Sequence, residues 1–231
     1  MARGGWIFAA ALALPLACVA GRPLSTEDVG VVDAGRCQLE SWIDRSRDAT
    51  TGWLVPACNV GLGIEWQAGF ARTRGSDASG RFSEAYAQAK GTLVEPADGR
   101  AGLGWVVGTV RRPLAVTHGG WSNPYAVAIA SSAFDETLVH ANVGWARDRD
   151  ASRNATTWGL AIELPPRGPI TWVAEAFGEN STRPFLRAGA RWTAVADLLD
   201  LDLTYVARPG GDRSERYLSL GFTLLTPAPR R

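Results

Sequence analysis

The sequence lacks several features that would point to common classes of protein. It has no run of about eighteen apolar residues, which excludes a protein that crosses a membrane with helices. It has only two histidines and three cysteines, spread along the chain, and this argues against a metal site. Basic and acidic residues are nearly balanced at 24 and 23, so no basic face for nucleic acid is indicated. We expect no metal, no cofactor and no nucleic-acid partner.

Residues 1–20 have the features of a secretory signal peptide. Arg3 gives a positive start, residues 6–16 form an apolar run too short for a transmembrane helix, and Cys18-Val19-Ala20 provides small residues before a cleavage site. Cys18 also suggests a lipoprotein, although Pro15 and Leu16 fit poorly before a lipidated cysteine. We predict export and cleavage just before Gly21.

The rest of the chain is rich in segments where apolar residues alternate with small or polar ones. In residues 217–225 the leucines and the phenylalanine fall on one face, while Ser219, Gly221 and Thr223 fall on the other. A period of two indicates a β-strand, and a tilted strand needs about nine to eleven residues to cross a bilayer. Eleven segments of this kind can be recognised: 36–45, 57–71, 81–93, 101–111, 123–133, 136–147, 155–164, 170–178, 184–194, 198–207 and 215–225.

These segments predict an all-β fold, an antiparallel transmembrane up-and-down β-barrel over residues 36–231. Because single-chain bacterial barrels have even strand numbers, we expect about twelve strands, with ten as the next choice. A further strand would come from residues 112–121 or from the N-terminal lead. Residues 21–35 are polar and have no period, so we expect a short periplasmic or lumen-lying segment.

One hairpin can be tested for register from the sequence alone. A two-residue turn at Ala196-Asp197 would place Thr193, Arg191 and Gly189 opposite Asp200, Asp202 and Thr204. The same register places Trp192, Ala190 and Ala188 opposite Leu201, Leu203 and Tyr205. One face is then polar or small and the other apolar, with Arg191 and Asp202 as a pair of opposite charges.

The tryptophans and cysteines add detail to this fold. Indole rings favour the boundary between lipid and water, so tryptophans on the apolar faces would form an aromatic girdle. The candidates are Trp66, Trp105, Trp145, Trp158, Trp172 and Trp192. In an exported protein an even cysteine pair predicts a disulfide, here between Cys37 and Cys58, which would join the first hairpin.

The ionisable residues of the polar faces are predicted to line the lumen, because an arginine facing lipid near the midplane costs about 2–4 kcal/mol. With one asparagine, the set is Glu65, Lys90, His140, Asn142, Glu163, Glu175, Arg187, Arg191, Asp200 and Asp202. These side chains could pair across a sealed lumen or line a selective pore. We expect Lys90 to be the partner of a lumen carboxylate.

Glycines on the same parity favour open space in the lumen, since they occupy little volume. They are Gly61, Gly63, Gly102, Gly104, Gly144, Gly159, Gly189 and Gly221.

Three stretches resemble an outer-membrane family known as the putative MetA-pathway of phenol degradation. They are residues 21–28 with 35–40, residues 139–145, and residues 187–205. The resemblance implies an outer-membrane barrel that acts as a channel or transporter. Residues 226–231 depart from it, because a short basic tail replaces a terminal aromatic residue.

The leading functional hypothesis is therefore a channel or transporter for small molecules, among them hydrophobic or aromatic ones, and not an enzyme. Its partners would be outer-membrane lipid and small-molecule solutes in a Gram-negative bacterium, while the sequence gives no oligomeric state. One alternative is a lipid or ester hydrolase that uses His140 with Ser131 or Ser132, although no G-x-S-x-G nucleophile elbow occurs. The others are a plugged barrel with a structural role and a soluble periplasmic β-sandwich.

Overall fold

The computed structural model describes residues 21–61, 63–75, 82–97, 100–112, 120–149, 152–180 and 182–227. The predicted signal peptide lies outside these residues. Twelve antiparallel strands pair in chain order and close into a barrel through β1 and β12. They are β1 (Cys37–Ser46), β2 (Ala49–Asn59), β3 (Ile64–Gly75), β4 (Phe82–Val94), β5 (Gly102–Arg111), β6 (Trp121–Phe134), β7 (Thr137–Asp148), β8 (Arg153–Glu163), β9 (Ile170–Glu179), β10 (Phe185–Val195), β11 (Leu199–Ala207) and β12 (Arg216–Leu225).

A single turn of 3₁₀ helix, Arg213–Glu215, lies between β11 and β12. Among the described residues, no helix is long and apolar enough to span a membrane. We call the end of the barrel where β1 starts and β12 stops the near end, and the opposite end the far end.

The structure confirms the predicted all-β barrel of twelve strands. The strand missing from the sequence-based list is β2, and both places proposed for it were wrong. The segment escapes a search for alternation because Trp53, Val55 and Ala57 face inward while Leu54 and Pro56 face outward, so both faces are apolar. Proline is also uncommon inside a strand, since it cannot donate to the ladder.

The predicted residue pairs of the β10–β11 hairpin are confirmed, but the predicted two-residue turn was wrong: the register shifts between Thr193 and Val195, and the turn spans residues 196–198. Thr193, Arg191 and Gly189 pair with Asp200, Asp202 and Thr204, and the alternate residues pair as expected on the other face. Cys37 and Cys58 are directly opposite each other in β1 and β2 and form the predicted disulfide.

The outer surface of the barrel is apolar. Large exposed side chains there include Ile43, Leu54, Phe70, Leu103, Val107, Val143, Leu160, Leu186, Leu203, Leu218, Leu220 and Leu224. A folded protein in water rarely exposes an apolar patch of more than a few hundred Å². Trp66, Trp145, Trp172 and Trp192 are about half exposed on this surface. Their role as a girdle stays a prediction.

The inner surface is polar and largely buried. Along β12, for example, Ser219, Gly221 and Thr223 are buried, whereas Leu218, Leu220 and Leu224 are exposed. Gly61 and Gly63 were wrongly assigned to this inner face. Both lie between β2 and β3 with positive φ angles of 97° and 67°, which glycine adopts without steric cost.

Candidate functional site in the barrel lumen

The lumen holds a part of the chain itself. Residues 21–35, which we call the lumen segment, precede β1 and enter the barrel from the near end. Arg22, Thr26, Asp28, Val29 and Val32 are all buried. Many polar side chains of the barrel wall therefore contact the lumen segment and not solvent.

The start of the lumen segment is held by Arg22. Its guanidinium donates to Asp202 Oδ1 at 2.6 Å and to Ser219 Oγ at 3.0 Å, and it lies 4.5 Å from the centre of the Trp42 ring. Its backbone N–H donates to Glu40 Oε1 at 3.1 Å. One residue thus joins the segment to β1, β11 and β12.

Glu175 on β9 is the most heavily used acceptor of the lumen segment. It accepts the backbone N–H groups of Ser25 and Thr26, at 2.8 and 2.9 Å, and the Thr26 hydroxyl at 2.8 Å. Its charge is balanced by Arg187 on β10, at 2.9 Å. Arg187 also donates to the carbonyl oxygen of Pro23. Since both side chains of this ion pair are buried, water does not replace these contacts.

The middle of the lumen segment carries two carboxylates that share one lysine. Lys90 Nζ lies 3.0 Å from Glu27 Oε2 and 3.0 Å from Asp28 Oδ1. Burial raises the pKa of the Asp28 carboxyl, and the Lys90 ammonium opposes that shift. Asn142 accepts the Glu27 N–H at 2.7 Å and donates to the Glu27 carbonyl at 2.8 Å. The expected partner of Lys90 is thus in the lumen segment and not on the wall.

The last part of the lumen segment, which leads into β1, is bound by neutral and charged side chains of β3, β4 and β6. The Val29 N–H donates to Ser131 Oγ at 3.1 Å, and its carbonyl accepts the Thr92 hydroxyl at 2.6 Å. The Val32 N–H donates to Glu65 Oε2 at 2.9 Å.

The strands that bind the segment change in order along the chain. Val32 is bound by β3, Val29 by β4 and β6, and Glu27 by β7. Ser25 and Thr26 are bound by β9, Pro23 by β10, and Arg22 by β11, β12 and β1. The segment therefore follows the circumference of the lumen.

Val29 also makes apolar contacts with the barrel wall. Its side chain is 1 % exposed and packs with Val106 and Ile129, which face inward from β5 and β6. Burying a valine contributes about 1.5–3 kcal/mol. This small apolar cluster supplements the hydrogen bonds of the segment.

Inward-facing glycines make room for the lumen segment. A Cβ on Gly159 would lie 2.4 Å from Thr26 Oγ1, and one on Gly221 would lie 2.8 Å from an Arg22 nitrogen. Cβ atoms on Gly102 and Gly104 would lie within 3.6 Å of Val29. The expectation of open space at these glycines was wrong, because the segment fills it.

Ser131 and His140 belong to one buried hydrogen-bond network. Ser131 Oγ lies 2.8 Å from His140 Nδ1, and His140 Nε2 lies 3.6 Å from Glu163 Oε1. The other carboxylate oxygen of Glu163 accepts from Arg191. Ser131 already accepts the Val29 N–H, so its hydroxyl is covered by the lumen segment.

Among the cavities lined by described residues, two lie beside the lumen segment. The smaller, of about 290 Å³, is lined by Arg22, Glu40, Trp42, Trp53, Tyr86 and Tyr217 among others. The larger, of about 550 Å³, is lined by Val106, Tyr125, Val127, Phe177, Phe185 and Arg208 among others. Trp42 and Trp53 stack with their ring centres 5.3 Å apart, and Phe177 and Phe185 stack at 5.6 Å. Both cavities thus combine aromatic rings with polar groups.

The residues predicted for the lumen fall into three groups. Those that contact the lumen segment are Glu65, Lys90, Asn142, Glu175, Arg187, Arg191 and Asp202. His140 and Glu163 lie behind Ser131. Among the described contacts, Asp200 makes no hydrogen bond or ion pair with the segment, and it lies near the start of β11.

Arg191 and Asp202 lie directly across from each other, as predicted, but their side chains pair with other residues. Arg191 pairs with Glu163, and Asp202 pairs with Arg22 of the lumen segment. Sequence reasoning also missed Glu40, although it has the inward parity of Gln38 and Trp42 on β1. That parity is the signal that could have found it.

Within the described ranges, no group of three or more histidine, cysteine, aspartate or glutamate residues could hold a metal ion. The fold and the lumen define a class: a closed antiparallel barrel of twelve strands, apolar outside and polar inside, with an internal segment. A family model described as "Uncharacterised conserved protein UCP029691" matches residues 8–225, and the chain belongs to that family. The resemblance to the phenol-degradation family is not confirmed and stays a prediction. No curated protein matches the sequence.

Solved structures with the same fold include outer-membrane proteins. The COG4313 outer membrane channel from Pseudomonas putida F1 matches with a TM-score of 0.62 and 11 % identity, over 88 % of this chain and 100 % of that one. The KdgM porin matches with a TM-score of 0.58 and 8 % identity, over 81 % and 98 %. The NanC porin matches with a TM-score of 0.54 and 10 % identity, over 83 % and 99 %. At these identities the likeness concerns the fold.

Proposed function

We propose that the protein is an outer-membrane channel for small solutes, whose lumen is narrowed by its own N-terminal segment. The observation that carries this proposal is the combination of an apolar outer surface with a polar, charged lumen that retains two cavities. Lipid would bury such an outer surface, because it contacts one of the two alternating faces of a membrane barrel. The fold shared with three outer-membrane channels and porins supports the same function.

The near end of the barrel faces the periplasm in this proposal. Bacterial barrels have short periplasmic turns and longer extracellular loops. The near-end connections at residues 135–136 and 196–198 are short, while the far-end connection at residues 208–215 is long. A solute from the extracellular side would thus enter the larger cavity and contact the lumen segment there.

The solutes are proposed to be small, neutral or cationic molecules with an apolar or aromatic part. The aromatic rings in both cavities support the apolar part, since flat apolar groups stack on such rings. The lumen charges support a solute without an acid group, because buried carboxylates in the lumen outnumber buried cations and would repel an anion. The buried carboxylates are Asp28, Glu40, Glu65, Glu163, Glu175 and Asp202, against the buried cations Arg22, Arg36, Lys90 and Arg187. A KdgM porin was solved with oligogalacturonate, and for this chain we propose a different solute class.

The test is the conductance of the refolded protein in a planar lipid bilayer. We expect steady, small openings that prefer cations, measured from the reversal potential in a salt gradient. A protein that is folded, as shown by heat-modifiable migration on a gel, but carries no current would contradict the channel. Blockage of the current by a neutral aromatic alcohol, and not by galacturonate, would support the solute class.

A plugged barrel with a structural role is the second candidate. The observation in its favour is the lumen segment, whose contacts follow the whole circumference. If the wild-type protein is silent and a variant with a loosened segment conducts, the segment is a plug. The barrel would then be closed in its resting state.

The hydrolase alternative has weaker support from the geometry. Ser131, His140 and Glu163 lie in the order that nucleophilic catalysis requires. However, Ser131 Oγ is covered by Val29, so an ester carbonyl would first have to displace the lumen segment. We propose that the three residues are structural. Loss of an esterase activity of the purified protein in His140→Ala would contradict this.

A further inference from the structure

Gly21 lies directly against the carboxylate of Glu40. A Cβ built on Gly21 would be 1.9 Å from Glu40 Oε1, which is closer than any real contact. The same oxygen accepts the N–H of Arg22 at 3.1 Å. Because an N–Cα bond is about 1.46 Å long, the nitrogen of Gly21 lies within about 5 Å of this carboxylate.

Glu40 is a buried carboxylate that needs a cation. Glu40 is only 6 % exposed, and the buried cations nearby already pair with other carboxylates. Arg22 pairs with Asp202, and Arg187 pairs with Glu175. Among the ion pairs of the described residues, none includes Glu40. A buried charge without a partner is costly, so a buried carboxylate either takes up a proton or pairs with a cation.

We propose that hydrolysis of the Ala20–Gly21 peptide bond supplies that partner. A signal peptidase adds water to this bond, which leaves a carboxylate on Ala20 and a free amine on Gly21 that takes up a proton. The resulting α-ammonium of Gly21 pairs with Glu40 inside the barrel. The proposal rests on the predicted signal peptide and is independent of the solute.

Docking of the lumen segment therefore depends on cleavage of the signal peptide. An amide nitrogen carries no charge, so an unprocessed chain leaves Glu40 without its cation. A larger side chain at this position would displace the Glu40 carboxylate from Gly21. A lipoprotein processed at Cys18 would instead begin three residues earlier and would have no ammonium at Gly21.

The first experiment identifies the terminus. The protein is isolated from outer membranes of an expressing Gram-negative host and analysed by N-terminal sequencing and intact mass. We expect Gly21 as the first residue and no acyl group. A terminus at any other residue, or a lipid-modified Cys18, would overturn the proposal.

The second experiment tests the ion pair. An amine reacts with an acylating reagent as its neutral form, and an opposite charge within about 4–6 Å stabilises the charged form by a factor of about ten or more. We expect the terminal amine of the folded wild type to react about tenfold more slowly at pH 7 than that of Glu40→Gln. Glu136→Gln, in an exposed near-end turn, is the matched control and should react like the wild type. Equal rates in wild type and Glu40→Gln would refute the pair.

A third measurement does not depend on the folding of Glu40→Gln. Refolded wild-type chains that begin at Gly21 are compared with chains that keep one extra alanine at position 20. Cleavage after Glu27 by a glutamate-specific protease reports release of the lumen segment. We expect the extra residue to speed this cleavage at least severalfold, and an unchanged rate would contradict the docking condition.

Discussion

Replacing Glu175 with glutamine tests whether the lumen segment is held by wall carboxylates. Glu175 accepts the N–H groups of Ser25 and Thr26 and the Thr26 hydroxyl, and it pairs with Arg187. Glutamine keeps the shape of the side chain but loses the charge, so Arg187 becomes a buried cation without its partner. The bonds from the lumen segment then lose their charged acceptor, and a hydrogen bond to a charged group contributes about 1.5–3 kcal/mol.

The effect on docking follows from this cost. Since about 1.4 kcal/mol is a factor of ten, a loss of about 3 kcal/mol raises the released fraction of the lumen segment roughly a hundredfold. The assay is cleavage after Glu27 by a glutamate-specific protease in detergent micelles, with single-channel current as a second readout. We expect faster cleavage and larger conductance in Glu175→Gln, with an unchanged heat-modifiable gel shift.

Glu179→Gln is the matched control for this experiment. Glu179 lies on the same strand and the same inner face, but its ion pair with Arg153 is at the far end, where the two side chains are 37 % and 48 % exposed. An exposed pair of this kind contributes about 0–1 kcal/mol. If Glu175→Gln is cleaved no faster than Glu179→Gln, the wall carboxylate does not hold the segment.

Three further changes probe the pore, the packing and the outer surface. Arg191→Ala removes a lumen cation, so the reversal potential should shift further toward cation selectivity, and an unchanged potential would place Arg191 outside the conducting path. Gly159→Ala brings a Cβ to 2.4 Å from Thr26 Oγ1 and should weaken docking by about 1–3 kcal/mol in the protease assay, whereas Gly52→Ala, with nothing within 4 Å of its Cβ, should not. Leu220→Arg places a charge on the exposed outer face and should lower the free energy of unfolding in lipid vesicles, measured by urea titration, by about 2–4 kcal/mol. An unchanged midpoint for Leu220→Arg would contradict contact with the lipid core.

The strands were predictable wherever one face is apolar and the other is not. Such contrast is clear in β10, β11 and β12, and for the β10–β11 hairpin even the pairing register followed from the sequence. It is absent in β2, where Trp53 and Val55 face inward and Leu54 and Pro56 face outward. Trp53 faces inward because it stacks on Trp42 within the lumen, and no local pattern reveals that contact. A period of two detects the contrast between lipid and water, so it fails where the lumen itself is apolar.

The candidate site was predictable as a set of inward residues but not as a set of contacts. Parity placed Glu175, Arg187 and Asp202 on the inner face, where the structure has them buried. Their partners were not predictable, because the lumen segment has no period and gives no sign of its position. The sequence left two alternatives for the lumen charges: they could pair with each other or line a solvated pore. The structure combines wall ion pairs with a third use, the binding of a polypeptide.

This third use gives the wall carboxylates partners in the main chain of the lumen segment. The lumen segment forms no ladder with a strand, yet its buried N–H groups still need acceptors. Glu40, Glu65 and Glu175 accept N–H groups of Arg22, Val32, Ser25 and Thr26, in the place of the carbonyl groups of a neighbouring strand. Bonds of this kind involve the main chain, so they leave no complementary charge in the sequence of the segment. A wall of carboxylates facing an aperiodic lead is therefore itself the pattern that indicates an internal segment, and it can be sought in other barrel sequences.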